Sequence, residues 1–241
     1  MSKYAVDAIG VKKSYQTGSF ITPVLVGIDL KVEPGECVFL SGPSGSGKST
    51  LLSILGCILT ADEGTVEILG ENVTHLNRKG QARFRRERIG FVFQRFHLFQ
   101  GLRAWENVAV PFDLQGVGQK ISKPDSLRLL DMVGLAAKAN NHISQLSLGQ
   151  RQRVALARAL AGNPDLIFAD EPTASLDFES GYNAMKILRD LCKEMGKTCV
   201  VVTHDPRIYP MADRILTMED GRFTMVRFNP RGGMGGMVQK L

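Results

Sequence analysis

No two of the four cysteines, Cys37, Cys57, Cys192 and Cys199, stand in C-x-x-C spacing. That removes the usual signs of a zinc knuckle or a redox dithiol. Their apolar or helical surroundings make each a small core hydrophobe in a reducing compartment. No apolar run approaches the ~20 residues of a membrane helix, and the opening MSKYAVDAIGVKKSY lacks the apolar centre of a secretory signal. A soluble, cytoplasmic chain is the expectation. At 241 residues it can bury a substantial core without staples, as one α/β domain with an insertion. A net charge of +6 names no partner by itself, because a solvated surface accounts for it. The densest basic stretch, RKGQARFRRER at 78–88, reads as a charged helix face. Attraction to an anionic leaflet, about 1 kcal/mol per basic residue, is its functional alternative.

What is present begins with GPSGSGKST, Gly42 to Thr50, between the apolar runs CVFL and LLSILGCIL. A glycine-rich turn between strand and helix is either a plain tight turn or an anion cradle. The spacing G-x-x-x-x-G-K-[S/T] favours the cradle: Gly42, Gly45 and Gly47 let backbone N–H groups wrap phosphates around Pro43, Ser44 and Ser46. Lys48 reaches the β/γ-phosphates, and the Ser49 hydroxyl binds Mg²⁺.

Along the chain, alternation in YAVDAIGVKKSY and VLVGIDLKV predicts an opening antiparallel hairpin or meander, and CVFLSG a buried strand. Leucines and isoleucines at helical spacing predict a helix over 47–58; EGTVEILGENV returns to strand around a Gly70 turn, and RIGFVFQ is a further strand at 88–94. From about 95 to 160 the pattern is helical, interrupted by Pro111, Gly116, Gly118 and Pro124, with DSLRLLDMVGL ending at Gly134. The expected architecture is one domain over 1–228, with a helical subdomain inserted at about 95–160. The tail 229–241, rich in glycine, is expected to be disordered or weakly docked.

DLIFADEP and TCVVVTHD are continuous apolar runs ending in ionisable residues. In parallel α/β sheets ligands bind beyond the carboxyl ends of strands, so Asp170, Glu171 and His204 should face the edge that carries the phosphate loop. A GTPase would need [N/T]-K-x-D after a strand; SKPD at 122–125 has serine first and follows no strand. Adjacent carboxylates could be a mere polar strand end. Beside a phosphate loop they make a metal ligand, Asp170, and a base that orients and deprotonates water, Glu171. His204, by default a capping or core histidine, could there donate to the γ-phosphate.

The string LSLGQRQRVALARAL, 146–160, reads as an N-cap (Ser147), a permissive Gly149 and a helix whose N-terminus attracts anions. Here the chain resembles the ATP-binding subunits of ATP-binding-cassette (ABC) transporters, whose signature usually reads LSGGQ; Leu148 replaces its first glycine. The resemblance runs from Tyr15 to about Gly221, with the motifs in the family's order. It implies a P-loop NTPase fold of ABC ATPase type: a mixed sheet, an N-terminal antiparallel β subdomain and an inserted helical subdomain. It implies ATP and Mg²⁺ as ligands, with Tyr15 stacking on adenine and Lys48, Ser49 and Thr50 holding phosphate and metal. Gln94 would couple the metal and water site to a membrane partner. Ser147, Gly149 and Gln150 would contact the γ-phosphate on a second subunit, and Asp177, in ASLD, would lie in the segment crossing the dimer interface. The implied partners are transmembrane permease subunits and a second copy, or close relative, in an ATP-dependent dimer at the inner face of the plasma membrane.

The stretches IGFVFQRFHLFQGLRAWENVAVPFDLQGV and DEPTASLD most resemble the lipoprotein-releasing, macrolide-efflux and envelope-export branch. An importer's ATPase is the alternative within the family. ABC ATPases acting on DNA or ribosomes usually carry paired cassettes or long coiled coils, and with about 50 residues between Gln94 and Leu146 and no sustained heptads this chain has neither. No direct nucleic-acid partner is therefore expected.

Overall fold

The computed structural model describes residues 3–229 and 238–240. The opening hairpin forms as expected: β1 (Val6–Thr17) pairs antiparallel with β2 (Phe20–Val32). β4 (Glu63–Ile68) and β5 (Glu71–Asn72), joined by a turn with Gly70 at φ 83°, complete a four-stranded antiparallel sheet ordered β2-β1-β4-β5.

The second sheet is mixed. Its parallel part comprises β3 (Cys37–Ser41), β6 (Ile89–Val92), β7 (Leu166–Asp170), β8 (Thr198–Val202) and β9 (Arg214–Glu219). Antiparallel β10 (Arg222–Phe228) and β11 (Val238–Lys240) extend it in the order β11-β10-β9-β3-β8-β7-β6. The central strands are apolar without alternation because both faces are covered. Phe39, Ala169 and Val201 face a core built with the helical region, whereas Leu40, Phe168 and Val202 face a second core shared with the antiparallel sheet. Fully burying a phenylalanine contributes roughly 1.5–3 kcal/mol, so Phe39 and Phe168 are major fasteners of the two layers. All four cysteines are free and buried.

The helices are α1 (Lys48–Leu55), α2 (Arg78–Arg88), α3 (Ala104–Leu114), α4 (Gln119–Met132), α5 (Leu148–Leu160) and α6 (Phe178–Glu194). α2 buries only Phe84, which bears out the charged-face reading of its arginines. α1 is shorter than the 47–58 expected, stopping at Gly56.

The helical region differs from expectation in three places. Residues 95–103 form turns and an isolated bridge rather than helix, with Phe96 and His97 at φ 58° and 47°. Side chains from later helices hold that backbone: Asn107 exchanges bonds with Phe99 N and O at 2.8 and 3.1 Å, and Arg158 donates to the Phe96 and His97 carbonyls at 2.6 Å each. Pro111 and Pro124 do not interrupt helices but lie inside α3 and α4. Each removes one backbone donor, yet α3 buries Trp105, Val108 and Phe112, and α4 buries Leu129 and Leu130, and that packing outweighs the lost bond. The breaks fall at two of the other expected positions, Gly116, φ 79°, and Gly134, φ 71°. Much of the tail expectation falls on 230–237 and 241, outside the described residues; Val238–Lys240, by contrast, pair with β10.

Candidate functional site

The cleft lies beyond the carboxyl ends of β3, β7 and β8. β3 runs into Gly42, at φ 133°, where a Cβ would sit 2.1 Å from the Met218 carbonyl oxygen. Gly47 is at φ 100°, and a Cβ there would meet Val24 O at 2.7 Å. Both positions therefore require glycine. Gly47 N-caps α1 without a side-chain bond, leaving the first-turn N–H groups directed at the cleft as an anion site.

Lys48 lies under the loop, its Nζ donating to Gly42 O at 2.9 Å, Pro43 O at 2.6 Å and Ser46 Oγ at 3.1 Å. Burial pulls its ammonium below the usual lysine range, and the Glu171 and Asp170 carboxylates pull the other way. The Ser49 hydroxyl donates to Asp170 Oδ1 at 3.0 Å. Burial raises the Asp170 carboxyl, opposed by that same hydroxyl. Among the described residues no three His, Cys, Asp or Glu side chains converge to hold a metal alone. The Ser49–Asp170 oxygen pair does fit Mg²⁺, which takes one or two protein oxygens and completes its octahedron with water and phosphate.

Glu171 follows β7 at φ 47°, the left-handed region, while its N–H donates to Val202 O at 2.9 Å. This strained turn swings the side chain off the strand. Its Oε1 lies 2.9 Å from His204 Nδ1, and its Oε2 is buried without a hydrogen-bond partner among the described residues. His204 is exposed beyond β8. Tyr15 from β1, Val24, the loop residues 42–45 and 47–50, Gln94, Glu171 and His204 line one cleft of about 650 Å³, while Ser46 is buried beneath it against Lys48. The carbonyl of Gln94 accepts from Ser175 Oγ at 3.4 Å.

Ser147, Gly149, Gln150 and Asp177 do not line this cleft. Ser147 N-caps α5, accepting from Gln150 N at 3.3 Å while Gln150 Oε1 accepts from Ser147 N at 3.0 Å. Asp177 N-caps α6 through Ser180 N at 2.9 Å. The two N-termini adjoin, since a Cβ on Gly149 would come 3.2 Å from Ser180 Oγ. Leu148, in place of the signature glycine, is half-exposed at this surface.

Two contributors have no signal in the sequence. Val24 meets the cleft by virtue of the hairpin register. Gln152, flanked by arginines, is fully buried and donates to the Pro172 carbonyl at 2.7 Å, tying α5 to the turn after Glu171. Its neighbours suggest a solvated helix face, which hides it.

The ABC transporter family profile matches residues 25–174. The lipoprotein-releasing system ATP-binding protein LolD 1 of Caulobacter vibrioides is 44% identical over 228 residues, covering 94% of this chain and 97% of the relative. The macrolide export ATP-binding/permease protein MacB of Bdellovibrio bacteriovorus is 44% identical over 216 residues, 90% of this chain but 33% of the relative. Among solved structures, the dimeric post-hydrolysis state of the ATP-binding cassette MJ0796, bound to ADP and Pi, superposes with a TM-score of 0.87 at 40% identity, covering 95% of this chain and all of that one. With phosphate loop, strand-end carboxylates and helical region in one cassette-like arrangement, the chain belongs to the ABC transporter family as an ATP-binding domain.

Proposed function

We propose that the chain is the ATP-hydrolysing subunit of an envelope-export transporter of the lipoprotein-releasing or macrolide-efflux kind, working as an ATP-dependent dimer on membrane permease subunits. The observation that carries this is the division of the site. Phosphate loop, Glu171 and His204 share one cleft, with Asp170 bonded to Ser49 at its edge, while the Ser147 helix N-terminus lies exposed elsewhere on the same chain. An anion-seeking helix end with no anion site of its own needs a second copy to supply one.

In the cleft, the loop N–H groups and Lys48 bind the β- and γ-phosphates, and Tyr15 stacks on the adenine. Mg²⁺ would be held by Ser49, Asp170 and Gln94 and would supply neutralisation of phosphate charge. Glu171, which lines the cleft, orients the attacking water and takes its proton on the carboxylate; the water oxygen bonds to the γ-phosphorus as the bond to the ADP oxygen breaks. His204 fixes the carboxylate through Oε1 and offers its other ring nitrogen to the γ-phosphate. Ser147, Gly149 and Gln150 of one copy close on the γ-phosphate held by the other, with Asp177 at the joint. ATP then binds the closed pair better than the open one, and hydrolysis removes that difference.

A second cavity, about 780 Å³, lies between α2, β6 and α3, floored by Phe91 and Phe93 and rimmed by Arg83 and Arg86. It adjoins Gln94 in sequence, and there a cytoplasmic helix of the permease docks and senses closure. No helix among the described residues is long and apolar enough to cross a membrane; the chain is peripheral on the inner face, attached through that helix. Copurification from membranes tests the assignment. A partner with few membrane helices and a large external domain supports it; a many-helix permease with a solute-binding protein gives the importer reading instead.

A further inference from the structure

β1 and β2 close through the two-residue turn Gly18–Ser19, with Gly18 at φ 62°. Near the turn the register is regular: Tyr15 opposes Thr22, Gln16 opposes Ile21 and Thr17 opposes Phe20. The last irregularity falls between Lys13 and Ser14, before Tyr15. Alternate strand residues share a face, so Tyr15, Thr17, Phe20 and Thr22 project to one side, and Gln16 and Ile21 to the other. Because Tyr15 lines the cleft, that side is the nucleotide's. Phe20 is the diagonal neighbour of Tyr15, a relation that puts Cβ atoms roughly 7–8 Å apart and within reach of an aromatic ring. It is also 78% exposed, the most open large hydrophobic side chain among the described residues. A phenyl ring left in water beside a binding cleft, on a backbone fixed by paired strands, has area still to bury.

We propose that Phe20 is a second aromatic contact for the nucleotide base, extending the platform that Tyr15 begins. This rests on the reading of Tyr15 as the residue that stacks on adenine. Two rings along one strand face present a longer apolar surface than one, and a bicyclic purine covers more of it than a pyrimidine does. The pair therefore sets a preference for purine over pyrimidine triphosphates, without hydrogen-bond readout of the base.

The test is equilibrium binding of ATP, CTP and inorganic tripolyphosphate to the full chain by calorimetry, for wild type, Phe20→Ala, Phe20→Trp and Tyr15→Ala. Phe20→Ala should raise the ATP Kd about fivefold, roughly 1 kcal/mol, at the low end of stacking contributions. The CTP-to-ATP Kd ratio should fall, tripolyphosphate binding should not change, and Phe20→Trp should bind ATP within about twofold of wild type. An unchanged ATP Kd in Phe20→Ala, with Tyr15→Ala weakened, overturns the role of Phe20 alone. If neither substitution changes ATP binding, the Tyr15 platform falls too. Equal losses for ATP and tripolyphosphate would show that the hairpin merely props the phosphate loop, and would also overturn the proposal.

Discussion

Replacing Glu171 by glutamine isolates the carboxylate's chemistry from its packing. The side chain keeps its length and volume, and the backbone at φ 47° changes no more than any other non-glycine residue would require. The amide oxygen can still accept from His204 at the position of Oε1, now 2.9 Å from Nδ1. The amide nitrogen takes the place of Oε2, which is buried and without a hydrogen-bond partner among the described residues. A buried unpartnered polar atom costs about 1–3 kcal/mol, and more when charged, so the neutral amide should leave stability unchanged or slightly higher. Lys48, Ser49 and Asp170 are untouched, and ATP affinity should stay within about threefold of wild type. Turnover is another matter. Loss of a positioned base removes about 10²–10⁴ in rate, equivalent to about 3–5 kcal/mol of barrier. Single-turnover hydrolysis with excess enzyme, alongside thermal unfolding, measures both quantities. Wild-type turnover, or a drop in turnover accompanied by a melting temperature many degrees lower, would refute the reasoning.

Lys48→Ala removes three hydrogen bonds within the loop and one phosphate-binding charge. ATP affinity should fall roughly 10- to 100-fold by calorimetry, the range for a charged hydrogen bond. Gly90→Ala would place a Cβ 1.9 Å from the Ala159 carbonyl oxygen, forcing β6 off α5, and should destabilise by about 3 kcal/mol in urea unfolding. Asp62 accepts from Lys13 Nζ and Ser14 N, bonds that hold its carboxyl below the usual range, with the lysine bond the larger cause. That contribution is present above the unfolded aspartate pKa of about 3.9 and is lost as pH falls through the lower folded value. Asp62→Asn should therefore melt below wild type at pH 7, and the two curves should converge in strong acid.

The phosphate loop and the strand-end carboxylates were legible because the chemistry fixes both residue type and position. Glycines must occupy Gly42 and Gly47, where a Cβ would strike backbone, and apolar runs ending in Asp170 and His204 can only be central strands finishing at one edge. The helical region was less legible. Pro111 and Pro124 carry a local preference that tertiary packing overrides, and the non-helical stretch at 95–103 is held by Asn107 and Arg158, side chains from later in the chain. The left-handed turn at Glu171 and the burial of Gln152 have no local sequence mark: the first sits where the chain bonds back to Val202 of β8, the second where α5 meets the Pro172 carbonyl. Phe20 is plain in the sequence as a residue but not as a neighbour of Tyr15, because that relation depends on the hairpin register.

The central claim is that two copies share each nucleotide, one through its phosphate loop and the other through Ser147. The most direct measurement is the solution mass of Glu171→Gln by light scattering, with and without saturating ATP, beside the same variant carrying Ser147→Arg. The account predicts a shift with ATP from 26.4 kDa to near twice that mass in the first, and none in the second although both bind ATP. A nucleotide-bound Glu171→Gln chain that stays monomeric, or a Ser147→Arg chain that dimerises as readily, would contradict it.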